Sequence, residues 1–336
     1  MQSLGSRLEP RDGLLHPPAF HEPSWLETHW FSFLVPERNL RGHVYSTFRT
    51  NIGVVFSHVL VWSRDCASLL DFDYYDSRIH LPMPEGNLDG YRLANGLEVT
   101  MQEPLMRYHI DYEGFNGMRL DLDLEGMMPA IESHETKLPT GGQDFSHFHP
   151  EIKPMVRGDV GHIDQTFMVR GEMVLNGETI EIAYPGNHDH SWSPRPEYGH
   201  GRGYFDEGYF GEEGQDLTFH VQTKNDRPEV GMVTNGYIID HGELLGLKAG
   251  EARYELDGWH TEKLEYELED TRGRTHRFVG TPTAATIFPT FPNQFQIIAV
   301  TKWTRDGEEE GWGEYKWHWE VSKMLGLSEQ PAGAEA

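Results

Sequence analysis

The chain has 336 residues, which exceeds the length of one typical domain and favours two. Only 37% of the residues are hydrophobic, but an aromatic content of 12% supplies large side chains that can build a core. The formal net charge of −26 creates a field that repels nucleic acid and anionic membrane surfaces. We therefore expect neither of these as a partner.

Cys66 is the only cysteine, which excludes an internal disulfide framework and a cysteine-based zinc site. Residues 1–7 lack the apolar core of a signal peptide. No apolar run reaches the roughly 20 residues that a membrane span needs. We therefore expect a cytoplasmic protein without stable membrane insertion. The oligomeric state stays open, with a homodimer as one option.

The dominant pattern along the chain is an alternation of apolar and polar residues with period two. It is clearest at residues 118–124, where leucines alternate with charged side chains. Such alternation is typical of an antiparallel strand with one face in water. Similar short runs predict further strands at residues 44–49, 54–62, 106–112, 167–175, 217–222 and 264–268.

Asn-Gly and Asp-Gly pairs between these runs predict tight hairpins, because both residue types tolerate the positive φ that such turns need. The pairs occur at residues 95–96, 116–117, 176–177, 235–236, 257–258 and 306–307. A long loop is expected at 129–154 and a frayed tail at 328–336. The one helical signal is a short terminal turn near residues 321–325.

Many short strands joined by tight turns predict an all-β protein with antiparallel sheets. Closure into barrels is favoured because it removes exposed sheet edges. The length suits two barrels in tandem. A Pro/Gly-rich stretch at 193–203 predicts the junction, which gives an N-terminal barrel over residues 1–192 and a C-terminal barrel over residues 193–336.

The densest polar and aromatic cluster is a His-Asp-His-Ser-Trp string in the middle of the chain. If the string is extended, His188, His190 and Trp192 share one face, while Asp189 and Ser191 share the other. The first face would then present two imidazoles and an indole to a cavity.

Asp189 has two interpretations. An unpaired carboxyl in an apolar barrel wall has a raised pKa, which would make Asp189 a proton donor near neutral pH. Alternatively, the cluster is a buried polar network that satisfies itself and ties the two barrels together.

The string Gly-x-x-Asp-His-Ser-Trp-x-x-Arg resembles the signature of carotenoid 1,2-hydratases (hydroxyneurosporene synthases), the AttH-like proteins and two-domain proteins of the DUF7065/DUF7064 type. It is formed here by Gly186, Asp189, His190, Ser191, Trp192 and Arg195. The similarity extends upstream to the Trp-x-Glu segment of Trp25 and Glu27 and to the strand that holds Asp164. It also extends downstream to hairpins of the second half, so it covers nearly the whole chain.

The resemblance implies two fused lipocalin-like barrels with a pocket inside or between them. It also implies a role in activity for His190 and Trp192. Two positions depart from the family pattern: His188 stands where many relatives have Arg, and Asp164 stands where many have Glu.

Two other patterns have both a functional and a structural interpretation. His147, His149 and Glu151 could join the motif histidines in a zinc or iron site, but with nineteen histidines such pairs arise by chance. We expect no metal and no other cofactor. Trp317 lies on an alternating aromatic run at 311–319, which favours a core strand that closes a barrel. The alternative is an aromatic cavity wall that steadies a carbocation.

The sequence thus predicts a cofactor-independent hydratase or lyase that acts by acid–base chemistry on a C=C bond of a hydrophobic, isoprenoid-like or polycyclic molecule. Asp189, His190 and His188 are the catalytic candidates, with Asp189 or His190 as the acid. The substrate-binding candidates are Trp192, Arg195, Trp25, Glu27, Asp164 and Trp317. A cyclase or isomerase in the same pocket and a non-catalytic carrier of a lipophilic ligand are the alternatives.

Overall fold

The computed structural model describes residues 4, 8–18, 21, 23–136, 138, 160–195, 203–227, 229–291 and 293–325. Within these residues the chain forms two antiparallel sheets and one short helix, α1 (Val321–Met324). The all-β fold and the terminal helical turn are confirmed, while the predicted tail at 328–336 lies outside the described residues. None of the described helices has the length and hydrophobicity that crossing a bilayer requires.

The first sheet is built from the N-terminal part of the chain. Its strands are β1 (Trp25–Val35), β2 (Leu40–Arg49), β3 (Val54–Trp62), β4 (Tyr74–Pro82), β5 (Gly90–Arg92), β6 (Leu97–Glu103), β7 (Arg107–Glu113), β8 (Arg119–Gly126), β9 (Ile131–Glu132), β10 (Gly161–Leu175) and β11 (Glu178–Pro194). They pair in the order β4-β3-β2-β1-β11-β10-β8-β7-β6-β5, and β9 pairs with β10. Short 3-10 turns connect some of them, at Pro36–Arg38, Thr50–Ile52, Phe115–Gly117 and Ser133–Thr136.

Side chains bring the two ends of this sheet together, whereas the sequence predicted a barrel closed by strand pairing. Tyr112 donates a hydrogen bond to Asp76 on β4 over 2.8 Å, and its hydroxyl lies 2.7 Å from that of Tyr74. Asn95, in the turn between β5 and β6, donates to Ser57 on β3 over 3.0 Å. The sheet therefore curls around one hydrophobic core, with β4 and β5 as its edges.

The second sheet is a closed barrel. Its strands are β12 (Gly203–Phe210), β13 (Leu217–Arg227), β14 (Val230–Asp240), β15 (Glu243–Asp257), β16 (His260–Asp270), β17 (Thr275–Phe291), β18 (Gln294–Arg305) and β19 (Glu309–Glu320). β19 pairs with both β18 and β12, so the predicted aromatic run at 311–319 does close a barrel. The two units together confirm the tandem lipocalin-like architecture.

Five of the six predicted hairpin pairs lie at turns between consecutive strands. Asn176 and Gly177, for example, have φ of 53° and 81° and join β10 to β11. The pair Asn235-Gly236 was predicted wrongly, because it lies inside β14. There the glycine packs against the backbone oxygen of His220 on β13, where a side chain would not fit.

The end of β11 shifts the predicted boundary between the two units. β11 continues past Trp192 to Pro194, and β12 begins at Gly203, so a boundary after Trp192 would cut a strand of the first sheet. The predicted loop at 129–154 is also partly wrong, because it contains β9 and the 3-10 turn that follows. The remainder of that loop lies outside the described residues.

The second barrel covers the outer face of β1, β2 and β3. Trp30 and Trp62 belong to one buried cluster with Phe288 of the second barrel. Arg41 forms a buried ion pair with Glu314, and its guanidinium lies 5.5 Å and 5.0 Å from the rings of Trp30 and Trp62. These strands are therefore buried on both faces, which explains why their burial does not alternate.

The hairpin between β10 and β11 gives a test of backbone strain. Gly177→Ala places a side chain at φ 81° without creating any close contact, so we expect a loss of about 1 kcal/mol in the free energy of unfolding. Gly90→Ala is the matched control, since Gly90 also has open space around it but no positive φ. Urea unfolding of both variants measures the difference, and equal stabilities would contradict the assigned turn.

Candidate functional site

The motif strand β11 lies between β1 and β10, so its side chains project from the middle of the first sheet. The strand register places His190 opposite His29 on β1 and Asp189 opposite Asp164 on β10. Residues that face each other across neighbouring strands share a face of the sheet. The register therefore places His188 and His190 on one face with His29, and Asp189 on the other face with Asp164.

The predicted separation of the motif into two faces agrees with the structure. His188, His190 and Trp192 lie inside the first sheet and are at most 3% exposed. Asp189 and Ser191 lie on the opposite face, which the second barrel covers. Both faces of this strand thus carry polar groups that are largely shielded from water, with Asp189 the more exposed at 21%.

Glu27 is the centre of the inner face. Its Oε1 accepts hydrogen bonds from His190 Nε2 over 2.7 Å and from His16 Nδ1 over 2.8 Å. Its Oε2 accepts the backbone N–H of His16 over 2.8 Å. Burial alone would raise the pKa of Glu27, but the hydrogen bonds from the two histidines outweigh it and leave this pKa below its ordinary value. Glu27 is therefore a carboxylate at neutral pH.

The Glu27 carboxylate fixes the orientation of His190. Because the carboxylate accepts only, His190 Nε2 carries a proton, and a neutral His190 then has its lone pair on Nδ1. Among the described residues, no group forms a hydrogen bond with this Nδ1. A neutral His190 consequently presents Nδ1 as one base nitrogen without a described partner in a buried environment.

Neutral histidines and aromatic rings surround this pair. The His29 ring lies 5.7 Å from that of His190 and 5.1 Å from that of His188. Burial, with a contribution from His190, lowers the pKa of His188 to about 3, and burial also lowers the pKa of His29. Both nitrogens of His188 and the hydroxyl of Tyr108 have no hydrogen-bond partner within the described part of the chain. Burial raises the pKa of Tyr108, so this hydroxyl stays protonated.

Trp192 and Trp25 complete the inner face near the start of β1. The Trp192 ring stacks on the His16 ring with centroids 3.6 Å apart and planes at 6°. Trp25 is fully buried in one apolar cluster with Trp192. The structure thus brings together five of the predicted site residues: Trp25, Glu27, His188, His190 and Trp192.

Asp189 on the outer face is paired with His162 and is not the proton donor that the sequence predicted. Burial alone would raise the pKa of Asp189, but the charges of His162, Arg195 and Lys316 hold it well below its usual range. His162 Nε2 donates directly to Asp189, and Thr28 donates over 3.3 Å. An ionised, paired carboxylate is a poor acid at neutral pH.

His162 carries the proton of this outer pair. Burial alone would lower its pKa, but Asp164 and Asp189 raise the pKa of His162 to about 9. Asp164 Oδ2 in turn accepts hydrogen bonds from Ser133 over 2.7 Å and from Gln222 of the second barrel over 2.8 Å. The outer face is therefore a charged network that connects the two units, as the structural interpretation of the motif expected.

Of the two remaining predicted residues, one lies away from the motif strand and the other lies on its outer face. Trp317 is buried in the core of the second barrel, away from the motif strand. Arg195 donates a hydrogen bond to Ser191 on the outer face. Sequence reasoning missed His29, although it shares the period-two face of Glu27. It also missed His16, which precedes the strand in an irregular segment where no periodicity operates.

Among the described residues, His109, Asp111 and Asp121 form one surface cluster with the donor set of a metal site, and two further clusters lie at the motif strand. Each offers three ligand atoms within 4.8 Å of one another: His16, Glu27 and His190 on the inner face, and His162, Asp164 and Asp189 on the outer face. In both clusters the histidine nitrogens already donate to carboxylates. The predicted alternative with residues 147–151 lies outside the described residues.

The sequence matches the family model described as Domain of unknown function (DUF7064) over residues 9–321. The chain belongs to the DUF7064 family. This assignment confirms the resemblance that the motif indicated. A search of curated proteins found no match.

Several solved structures have the same fold as this family member. An AttH candidate from Nitrosomonas europaea matches with a TM-score of 0.59 and 11% identity, over 87% of this chain and 92% of that chain. CghA with Sch210972 matches with a TM-score of 0.53 and 11% identity, over 89% of each chain. Kievitone hydratase from Nectria haematococca matches with a TM-score of 0.50 and 12% identity, over 87% of this chain and 88% of that chain. At these identities the likeness establishes the fold.

The outer pair makes stability depend on pH in a definite direction. The pKa of His162 is about 9 in the folded protein against 6.5 as its ordinary value. The contribution of protonated His162 to the free energy of unfolding is therefore complete below about pH 6.5 and is lost as the pH rises through about 9. Its upper limit is roughly 3 kcal/mol. Unfolding free energies measured from pH 6 to 10 should fall in the wild type, and the fall should shrink in His162→Gln.

His58→Gln is the control for this measurement. His58 is also buried in the first sheet, but burial lowers its pKa to about 4, so it does not titrate in the same window. This variant should keep the wild-type slope. A His162→Gln slope that equals the wild-type slope would contradict the assigned ion pair.

Proposed function

We propose that the chain is a cofactor-independent enzyme that adds water to, or removes water from, a C=C bond of a hydrophobic small molecule. The observation that supports this function is His190, oriented by the buried Glu27 carboxylate and left with one free ring nitrogen among aromatic side chains. A buried carboxylate–imidazole pair of this kind can act as a general base.

In the dehydration direction, His190 Nδ1 takes a proton from a carbon next to the one that bears the hydroxyl. The C–O bond then breaks, the double bond forms, and Tyr108 gives its hydroxyl proton to the departing oxygen. The proton on His190 returns to Tyr108, which leaves one water and one alkene as products. Glu27 stabilises the imidazolium in between, where a low dielectric strengthens the attraction. Hydration is the reverse of these steps.

The sequence favoured a route through a carbocation, but this route agrees less well with the charges of the side chains at the site. Protonation of an unactivated alkene requires a strong acid on the substrate's side of the sheet. Asp189 is ionised and lies on the other face, while His29 and His188 are neutral at neutral pH. The base-first route instead requires a C–H bond that a neighbouring carbonyl or conjugated system has made acidic.

The alternatives use the same inner face. An isomerase or cyclase would return the proton to another atom without loss of water. A carrier would bind the ligand and leave it unchanged, as many lipocalin-like barrels do.

Substitution of the base tests the proposed chemistry. His190→Gln should lower kcat by about 10²-fold or more, because the free nitrogen is lost. Glu27→Gln should lower kcat by about tenfold or more, because the carboxylate that orients His190 and stabilises its imidazolium is lost. Turnover is followed by mass spectrometry as a gain or loss of water in a panel of hydroxylated and unsaturated hydrophobic compounds.

His58→Gln serves as the control for activity too, since this histidine is equally buried but lies on the outer face of the sheet, beside Phe288. It should keep wild-type turnover. Full activity in His190→Gln would reject the catalytic assignment, and a stoichiometric ligand that native mass spectrometry recovers unchanged would favour the carrier.

A further inference from the structure

The segment before β1, residues 8–18, lies against the inner face of the first sheet without joining either sheet. It contains a 3-10 turn at Pro10–Gly13. Two of its backbone N–H groups donate to side chains of the body: that of Leu15 to Asn87 over 2.6 Å and that of His16 to Glu27 over 2.8 Å. A segment held through side chains opens at a lower free-energy cost than a strand in a ladder.

His16 covers the Trp192 ring and the Glu27 carboxylate of the candidate site. Its ring lies on the Trp192 indole at 3.6 Å and 6°, which is the geometry of a flat stacked ligand. Its Nδ1 and its backbone N–H engage both oxygens of Glu27. The centre of its ring lies 5.7 Å from that of His190.

We propose that His16 is an intramolecular stand-in for the substrate, and that a planar conjugated ring bearing a hydroxyl group displaces it. In the displaced state the ring of the ligand stacks on Trp192 and its O–H donates to Glu27. This inference rests on the proposed function, because it places the ring of the ligand beside His190. It adds the substrate class, which is a neutral, flat, phenol-like molecule.

The contacts that His16 makes indicate three properties of the ligand: a flat ring, a hydrogen-bond donor and no negative charge. The Trp192 face already carries the His16 ring at 3.6 Å with nearly parallel planes, so a flat ring can stack in the same place. Glu27 is fully buried, so a ligand without a donor would leave a carboxylate with an unmet hydrogen bond, which is costly. An anionic ligand would meet the same carboxylate and be repelled.

His16 is suited to leave. Its side chain is 14% exposed, whereas that of Glu27 is 0% exposed, so the imidazole has a path to water that the carboxylate lacks. Only molecules in which the segment is open can bind the ligand. The apparent affinity is therefore the intrinsic affinity multiplied by the open fraction. Removal of the competing ring should therefore tighten binding.

Isothermal titration calorimetry with 2-naphthol as the probe tests the inference. His16→Ala should bind 2-naphthol about tenfold or more tightly than the wild type does. His16→Phe is the matched control, because its ring can remain on Trp192 and should not give this gain. 2-Methoxynaphthalene, which has the same ring but no donor, should bind His16→Ala at least about tenfold more weakly than 2-naphthol. Equal affinity in His16→Ala and the wild type, or equal affinity for both probes, would overturn the inference.

A second measurement uses the wild-type protein alone. Arg11 lies in the segment with an exposed side chain, so trypsin reports its opening. Saturating 2-naphthol should accelerate cleavage at Arg11, and an unchanged rate would overturn displacement of the segment. His190→Gln separates the two proposals: it should lose turnover, while adding His16→Ala to it should still tighten the binding of 2-naphthol. Turnover that persists in this variant together with tight binding in His16→Ala would reject the function and retain the inference.

Discussion

The strand β11 is covered on both faces, by the interior of the first sheet on one side and by the second barrel on the other. Polar side chains in such a strand cannot rely on water and must find partners within the protein. Glu27 provides the partner on the inner face and His162 provides it on the outer face. This constraint determines which groups of the motif stay charged and which stay neutral.

The two faces consequently differ in chemical character. On the outer face, His162 and Asp189 hold opposite charges that stabilise each other and connect the first sheet to the second barrel through Gln222. On the inner face, one carboxylate serves two imidazoles, while the neighbouring histidines are neutral because burial disfavours their charge. The inner face is better suited to proton transfer, because Glu27 orients His190 there and no described group forms a hydrogen bond with its Nδ1.

Much of the fold follows from local patterns in the sequence. Period-two alternation located strands such as β7 and β8, and the Asn176-Gly177 pair located a hairpin, because these signals depend on neighbouring residues only. The failures depend on distant contacts. Asn235-Gly236 resembles a turn, but its glycine lets β14 approach β13 closely. The contact that joins the two ends of the first sheet depends on Asp76 and Tyr112, which are distant in the sequence.

The same distinction applies to the candidate site. Alternation alone assigned His190 and Trp192 to one face and Asp189 to the other. The pKa of Asp189 could not be predicted, because its partner His162 lies on another strand. His16 carried no signal, since its importance arises from an irregular segment that folds back onto Trp192.

The central claim is that Glu27 fixes His190 with its proton on Nε2 and its lone pair on Nδ1. Nitrogen-15 NMR of the histidine side chains at about pH 8, above the ordinary pKa of an imidazole, tests it most directly. The account predicts a protonated Nε2 and an unprotonated Nδ1 for His190, with loss of this preference in Glu27→Gln. A proton on Nδ1 in the wild type would contradict it.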